Sequence, residues 1–244
     1  MWRVESFDEI DSTNSWVAAQ SRAGAEEGLV ASARYQTAGK GRLDRRWESP
    51  VDSALLCSIL LRPDLGAERL QLAVAAVALS AREALRNLSG LRAGLKWPND
   101  LVVGHDKLAG LLAEVIGSDG SLAVVVGIGI NLTDHPQGQA TSLLEATGVT
   151  CEPSTLLAQL LEELAPRRVQ LDTESGRRVL RNEYEGALTT LGTRVRVETS
   201  AVTIEGIALR VDDLGRLVVA SEGREFVFSS GDVVHLRAEG GAYA

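Results

Sequence analysis

Two stretches of this sequence gather polar groups in patterns that suit anion chemistry. The first is Lys96-Trp97-Pro98-Asn99-Asp100-Leu101, followed by a second lysine at Lys107. Pro98 cannot donate to a sheet ladder and biases Trp97 towards extended backbone. Asn99 and Asp100 are turn formers whose side chains bond nearby backbone. Gly104-His105-Asp106 marks a further turn, and apolar residues resume from Leu108 to Val115. The pattern predicts a hairpin with a polar elbow and a lysine at the start of the returning strand. A lysine there is commonly a solvated edge residue. Its company with Asn99, Asp100 and Gly110 gives Lys107 a second reading, because glycine inside a strand marks a close approach to the backbone.

The second stretch is Gln36-Thr37-Ala38-Gly39-Lys40-Gly41-Arg42-Leu43-Asp44-Arg45-Arg46-Trp47. Its two glycines let backbone N–H groups approach an anion. Lys40, Arg42, Arg45 and Arg46 add positive charge, and an arginine fork holds carboxylate or phosphate through two parallel bonds. The spacing is not that of a Walker A loop. A loop so rich in glycine and charge is expected to be mobile when no anion is bound. The plain alternative is a solvated basic loop, and residue types do not choose between the two. They reach an anion-binding site, compatible with carboxylate activation by a nucleotide, and no substrate.

Those stretches need a scaffold. Short strands are expected over residues 4–7 and 28–33, with a helix near 15–21 capped by Ser12, Thr13 or Asn14. Residues 53–61 and 122–131 read as buried strands. Residues 67–88 are apolar on nearly every face, as a helix packed on a sheet would be. Residues 133–141 read as a polar loop, and helices follow near 153–164 and 174–191. After Gly192 come five short strands at 193–198, 202–211, 217–219, 225–228 and 233–236, the pattern of a small β-barrel or sandwich. The expected division is residues 1–191, residues 192–238 and a disordered tail at 239–244.

Composition narrows the class. The chain has 244 residues, 45% of them hydrophobic, and a net charge of −8. That is an ordinary globular composition, with no membrane-spanning run. The N-terminus lacks a signal-peptide core. Cys57 and Cys151 form no metal spacing or disulfide framework, and His105, His135 and His235 share no ligand spacing. A reduced, cytoplasmic protein is expected. The acidic balance argues against nucleic acid as the main partner, although residues 34–46 hold five basic residues and one acid.

Taken together, Ser12-Thr13-Asn14, Gln36 to Arg42, Lys96 to Asp100, Lys107-Leu108-Ala109-Gly110 and Gly127-Ile128-Gly129-Ile130-Asn131 resemble, in order and spacing, the biotin protein ligases (biotin–[acetyl-CoA-carboxylase] ligases). The resemblance covers nearly the whole chain. It implies an α+β fold, with a mixed-sheet catalytic domain of the biotin/lipoate ligase type followed by a small SH3-like β-barrel. It implies an enzyme that makes biotinyl-5′-adenylate from biotin and ATP with Mg²⁺ and transfers biotin to one lysine of a biotin carboxyl carrier domain. By position, Ser12, Thr13, Asn14, Gln36, Lys40, Gly41, Arg42, Lys107 and Gly110 would bind biotin. Lys40, Arg45, Trp47, Asn99 and Asn131 would bind the nucleotide, and Asp100 a metal. Lys107 and Arg42 would carry the chemistry. The family's loop is commonly Gly-Arg-Gly-Arg-Arg-Gly, so Leu43 and Asp44 depart from it. The biotin-site string begins at Ser12, which implies the type without an N-terminal DNA-binding domain. No membrane partner is expected, and a homodimer is compatible with the family. The rival readings are a lipoate–protein ligase and a non-catalytic biotin or nucleotide sensor. The acidic charge yields one test: a gel shift at physiological salt with a biotin-operon operator shows no specific complex, and a sequence-specific shift refutes that reading.

Overall fold

Central strands buried on both faces explain the two unbroken apolar runs. In the computed structural model, which describes residues 2–43, 45–117, 122–136 and 138–236, seven strands build one sheet. They are β1 (Arg3–Ile10), β2 (Leu29–Gln36), β3 (Ala54–Leu61), β4 (Gly94–Lys96), β5 (Asp100–Val103), β6 (Asp106–Ile116) and β7 (Ala123–Asn131). Their order is β1-β2-β3-β7-β6-β5-β4. β1 and β2 run parallel and every other neighbouring pair is antiparallel, so the sheet is mixed. β3 and β7 at its centre are buried along their whole length. Asp44 and the tail 239–244 lie outside the described residues.

Helices cover both faces. α1 (Thr13–Arg22) lays Val17 and Ala18 on Leu29, Ala31, Leu60, Ala123 and Val125. α2 (Leu70–Ser89), with α4 (Pro153–Gln170) and α5 (Glu174–Ala187) against it, covers the other face. α2 has an apolar side on nearly every turn because it lies between the sheet and α4. A short helix, α3 (Leu143–Thr147), capped by Ser142, sits in the connection after β7. Five residues are too few to show a period, so the sequence did not announce it. Among the described residues no helix is long and apolar enough to cross a membrane.

Two helix ends differ from expectation. α4 continues past Pro166 to Gln170, where Arg167 binds Glu163 and Glu183, and Arg168 binds Glu27 and Asp172. α5 stops at Ala187 rather than 191. Leu188 is extended and bridges Leu95 beside β4, with the Thr189 amide donating to the Leu95 carbonyl at 2.8 Å.

The strand-rich end forms a separate antiparallel sheet, as the SH3-like expectation required. It comprises β8 (Arg194–Glu198), β9 (Thr203–Val211), β10 (Leu217–Ser221), β11 (Arg224–Phe228) and β12 (Asp232–His235), in the order β11-β10-β9-β8-β12. Its junction with the first sheet centres on Trp97, which is 1% exposed. The indole Nε1 donates to the Gly215 carbonyl at 3.1 Å, and the Trp97 amide donates to Thr190 Oγ1 at 3.0 Å. The Trp97–Pro98 bond is cis.

His235 Nε2 stands 3.3 Å from the same Thr190 hydroxyl. Burial, reinforced by Lys96 and His105, holds its pKa below the ordinary 6.5. In acid the unfolded chain therefore takes up a proton that the folded chain resists, and stability falls as pH drops through 6.5. Urea unfolding followed at pH 7.5 and just below pH 6.5 should show this loss, and His235→Gln should reduce it. An unchanged pH dependence in the variant would remove His235 as its source.

Candidate active site

The floor of the site follows from how side chains shrink along two strands. Side chains alternate faces along a strand. Towards α1, β7 presents Ala123 and Val125 and then Gly127 and Gly129, so the apolar side of α1 rests on the first pair and the second leaves room above it. β6 runs alongside, with Leu112 opposite Gly127 and Gly110 opposite Gly129. A cavity of about 390 Å³ opens over this floor. Added methyl groups show what occupies it. A Cβ on Gly127 would stand 2.0 Å from Asn14 Oδ1, and one on Gly129 2.3 Å from Cε2 of Trp47.

One wall is the start of α1. Ser12 caps the helix, its hydroxyl accepting from the Ser15 amide at 3.4 Å. Gln36 Oε1, at the end of β2, accepts from the Thr13 amide at 2.7 Å and from its hydroxyl at 3.1 Å. Thr13 Oγ1 lies 2.7 Å from Ser58 Oγ, which donates to Asn14 Oδ1 at 2.5 Å. Asn14 Nδ2 donates to Glu114 Oε2 at 3.0 Å. Ser12, Thr13, Asn14 and Ser58 are buried, so the network fixes their directions. Sequence reading missed Ser58. A serine within an apolar run gives no signal until α1 is known to lie above it.

The opposite wall is positive. Lys107 Nζ is 2.7 Å from Asp100 Oδ1, out of line for a hydrogen bond, and 5.8 Å from the centre of the Trp47 ring. Residues 39–41 and 45–47 are the two arms of a tight hairpin. The Gly41 amide donates to the Arg45 carbonyl at 2.7 Å and the Trp47 amide to Gly39 at 3.0 Å. Leu43 at its tip is 66% exposed and has φ 54°, a left-handed backbone that suits glycine better. Arg42 turns inward, donating to Asn99 Oδ1 at 3.0 Å. Burial lowers its pKa from the usual arginine value, while Asp232 and Asp100 oppose the shift. The guanidinium stays charged. Trp47 Nε1 is buried without a partner, a donor that a ligand could satisfy.

Ser12, Thr13, Asn14, Gln36, Lys40, Gly41, Arg42, Arg45, Trp47, Asn99, Asp100, Lys107 and Gly110 all line this one cavity. Asn131 does not. It is 1% exposed, and its Nδ2 donates to the carbonyls of Thr141 at 3.0 Å and Lys107 at 3.5 Å, so it braces the strand that carries Lys107. The sequence reading did not include Asp232, Val233 and Val234, which reach the cavity from the second sheet. Among the described residues no three His, Cys, Asp or Glu side chains could hold a metal. Asp100 offers one carboxylate, already engaged by Lys107.

Comparison with known proteins agrees with this geometry. Residues 6–131 match the model of the biotin/lipoate A/B protein ligase family, and residues 190–236 match that of the biotin protein ligase C terminal domain. A biotin–[acetyl-CoA-carboxylase] ligase of Mycobacterium tuberculosis is 36% identical over 97% of this chain and 90% of its own length. Its counterpart in Paracoccus denitrificans is 33% identical over 82% of this chain and 88% of its own. A biotin protein ligase from Aquifex aeolicus, solved in complex with biotin and ATP, superposes with a TM-score of 0.83 at 27% identity, covering 98% of this chain and all of that one. The chain belongs to the biotin/lipoate A/B protein ligase family.

Proposed function

We propose that this chain is a biotin–[acetyl-CoA-carboxylase] ligase, with residues 1–191 catalytic and 192–238 the SH3-like domain. Biotin is first activated by ATP and then passed to a lysine of a biotin carboxyl carrier domain. The observation that carries the reading is the single cavity in which the buried polar network of α1 faces Lys40, Arg42 and Lys107 across a glycine floor. The network offers the fixed donors and acceptors that a bicyclic urea such as biotin needs, and the cations face where its carboxylate and the nucleotide phosphate meet.

In the first step a biotin carboxylate oxygen bonds to the α-phosphorus of ATP and pyrophosphate leaves. Two negative groups must approach, and positive side chains offset their repulsion. Lys107 exchanges Asp100 for these anions, and Arg42 lies over them from the hairpin. The Trp47 ring, on the floor beside Gly110 and Gly129, gives a face for the nucleotide, and Asn99 holds Arg42 in place. In the second step the carrier amine bonds to the acyl carbon, AMP leaves with the bonding pair, and the amine loses a proton. A covering hairpin keeps water from the mixed anhydride in between.

Mg²⁺ accompanies ATP in this reading. Such ions are held mainly by phosphates with one or two carboxylates. Asp100 is the carboxylate at hand, once Lys107 has turned to substrate, and the chain supplies no further cluster among the described residues.

Two measurements test the proposal. The protein should exchange pyrophosphate into ATP with biotin and not with lipoate, and exchange with lipoate alone would turn the reading to a lipoate ligase. Lys107→Ala should remove most of that exchange while circular dichroism stays native, and near wild-type exchange would sink the assignment. Arg42→Ala should weaken adenylate retention roughly tenfold to a hundredfold, the loss expected of one charge-assisted contact of about 1.5–3 kcal/mol. Adenylate dissociation followed by chase reads it.

A further inference from the structure

The hairpin over the cavity is held from both sheets. At one end Lys40 Nζ lies 3.7 Å from Glu114 of β6. At the other, the Arg45 guanidinium pairs with the Asp232 carboxylate. Between them Arg42 Nη2 and Nη1 donate to the Gly231 carbonyl at 3.3 and 3.4 Å. Gly231 and Asp232 lead into β12, the edge strand of the second sheet beside β8. The backbone there has no slack. A Cβ on Gly231 would stand 3.0 Å from Val197 Cγ1 and 3.2 Å from the Glu198 carbonyl. The carbonyl that receives Arg42 and the carboxylate that receives Arg45 are therefore set by the packing of β12 on β8.

We propose that Asp232 is a positioning residue: it latches the hairpin through Arg45, so that the second sheet governs how long an acyl-adenylate stays in the cavity. The inference rests on the ligase reading for its ligand, while the latch itself is a property of the free protein. The Arg45 side chain is 68% exposed and that of Asp232 31%. The pair is thus a surface contact, and its loss should accelerate adenylate release by roughly three- to fivefold. Leu43 beside the tip is apolar and exposed, and among the described residues Arg45 and Arg42 make the polar contacts to the second sheet.

The test is a charge-swap cycle in the full chain, with Asp232→Asn, Asp232→Arg, Arg45→Asp and the double variant. The first readout is amide hydrogen exchange at Gly41, Arg45 and Trp47 in the free protein, whose N–H groups close the hairpin. The second is dissociation of preformed biotinyl-adenylate, chased with unlabelled biotin and ATP. Each single variant should exchange faster and release adenylate faster, with Asp232→Arg the most affected. The double variant should return both rates towards wild type, which a merely structural role for Asp232 would not produce. Unchanged exchange in Asp232→Arg, or a double variant no better than the singles, overturns the latch. If the wild-type protein forms no adenylate from biotin and ATP, the ligase reading fails, and hydrogen exchange still decides the latch.

Discussion

Lys40, Arg42, Arg45 and Lys107 face one cavity, and each is met by oxygen of the chain itself: Glu114, Asn99 with the Gly231 carbonyl, Asp232, and Asp100. Cations gathered around one cavity repel one another, and burial together with Arg45 lowers the Arg42 pKa. A site built to draw carboxylate and phosphate together needs that charge, and it must also keep its shape when neither anion is there. Internal oxygens solve both problems. They can be exchanged for the oxygens of a carboxylate and a phosphate. The partners come from β5, β6, the Trp97–Asp100 elbow and the start of β12, so both sheets must be in place before the charge is balanced.

The apolar side of the site obeys a simpler constraint. α1 needs bulk beneath it and the cavity needs none, and one strand face supplies both. Ala123 and Val125 support the helix, and Gly127 and Gly129 leave room for Asn14 and Trp47. Interiors close-pack, so a recess persists only where no side chain can fill it. The Thr13–Ser58–Asn14–Glu114 network then borders the recess with groups that cannot turn away, because each is bonded to the next.

Much of this was legible in the sequence, and the parts that were not have physical reasons. β3 and β7 show as apolar runs because both their faces are buried. α2 shows because it lies between a sheet and a helix. Lys107, Arg42 and the α1 cap stood out because their residue types are unusual beside apolar strands. Asp232 did not. Gly-Asp before a short strand is ordinary turn chemistry, and its meaning comes from a hairpin almost two hundred residues earlier. Asn131 stood out and proved to face backbone rather than cavity, a distinction of side-chain direction that spacing does not carry. The ends of α4 and α5 were misplaced because long-range partners, Glu27 for Arg168 and Leu95 for Leu188, outweigh local propensity there.

Trp97 occupies the middle of the most recognisable string in the chain, and its buried indole seals the join between the sheets, with Gly215 as acceptor. A buried tryptophan hides some 150–250 Å² of surface. The join is thus a piece of hydrophobic core rather than a tether. The chain should melt as one cooperative unit, and a protease should find no soft point between the sheets. Grafting the strand-rich end of a relative onto this chain then means rebuilding the packing around one indole: the turn around Gly215 has to travel with a matching Trp97 pocket, or the graft leaves that indole without its cover.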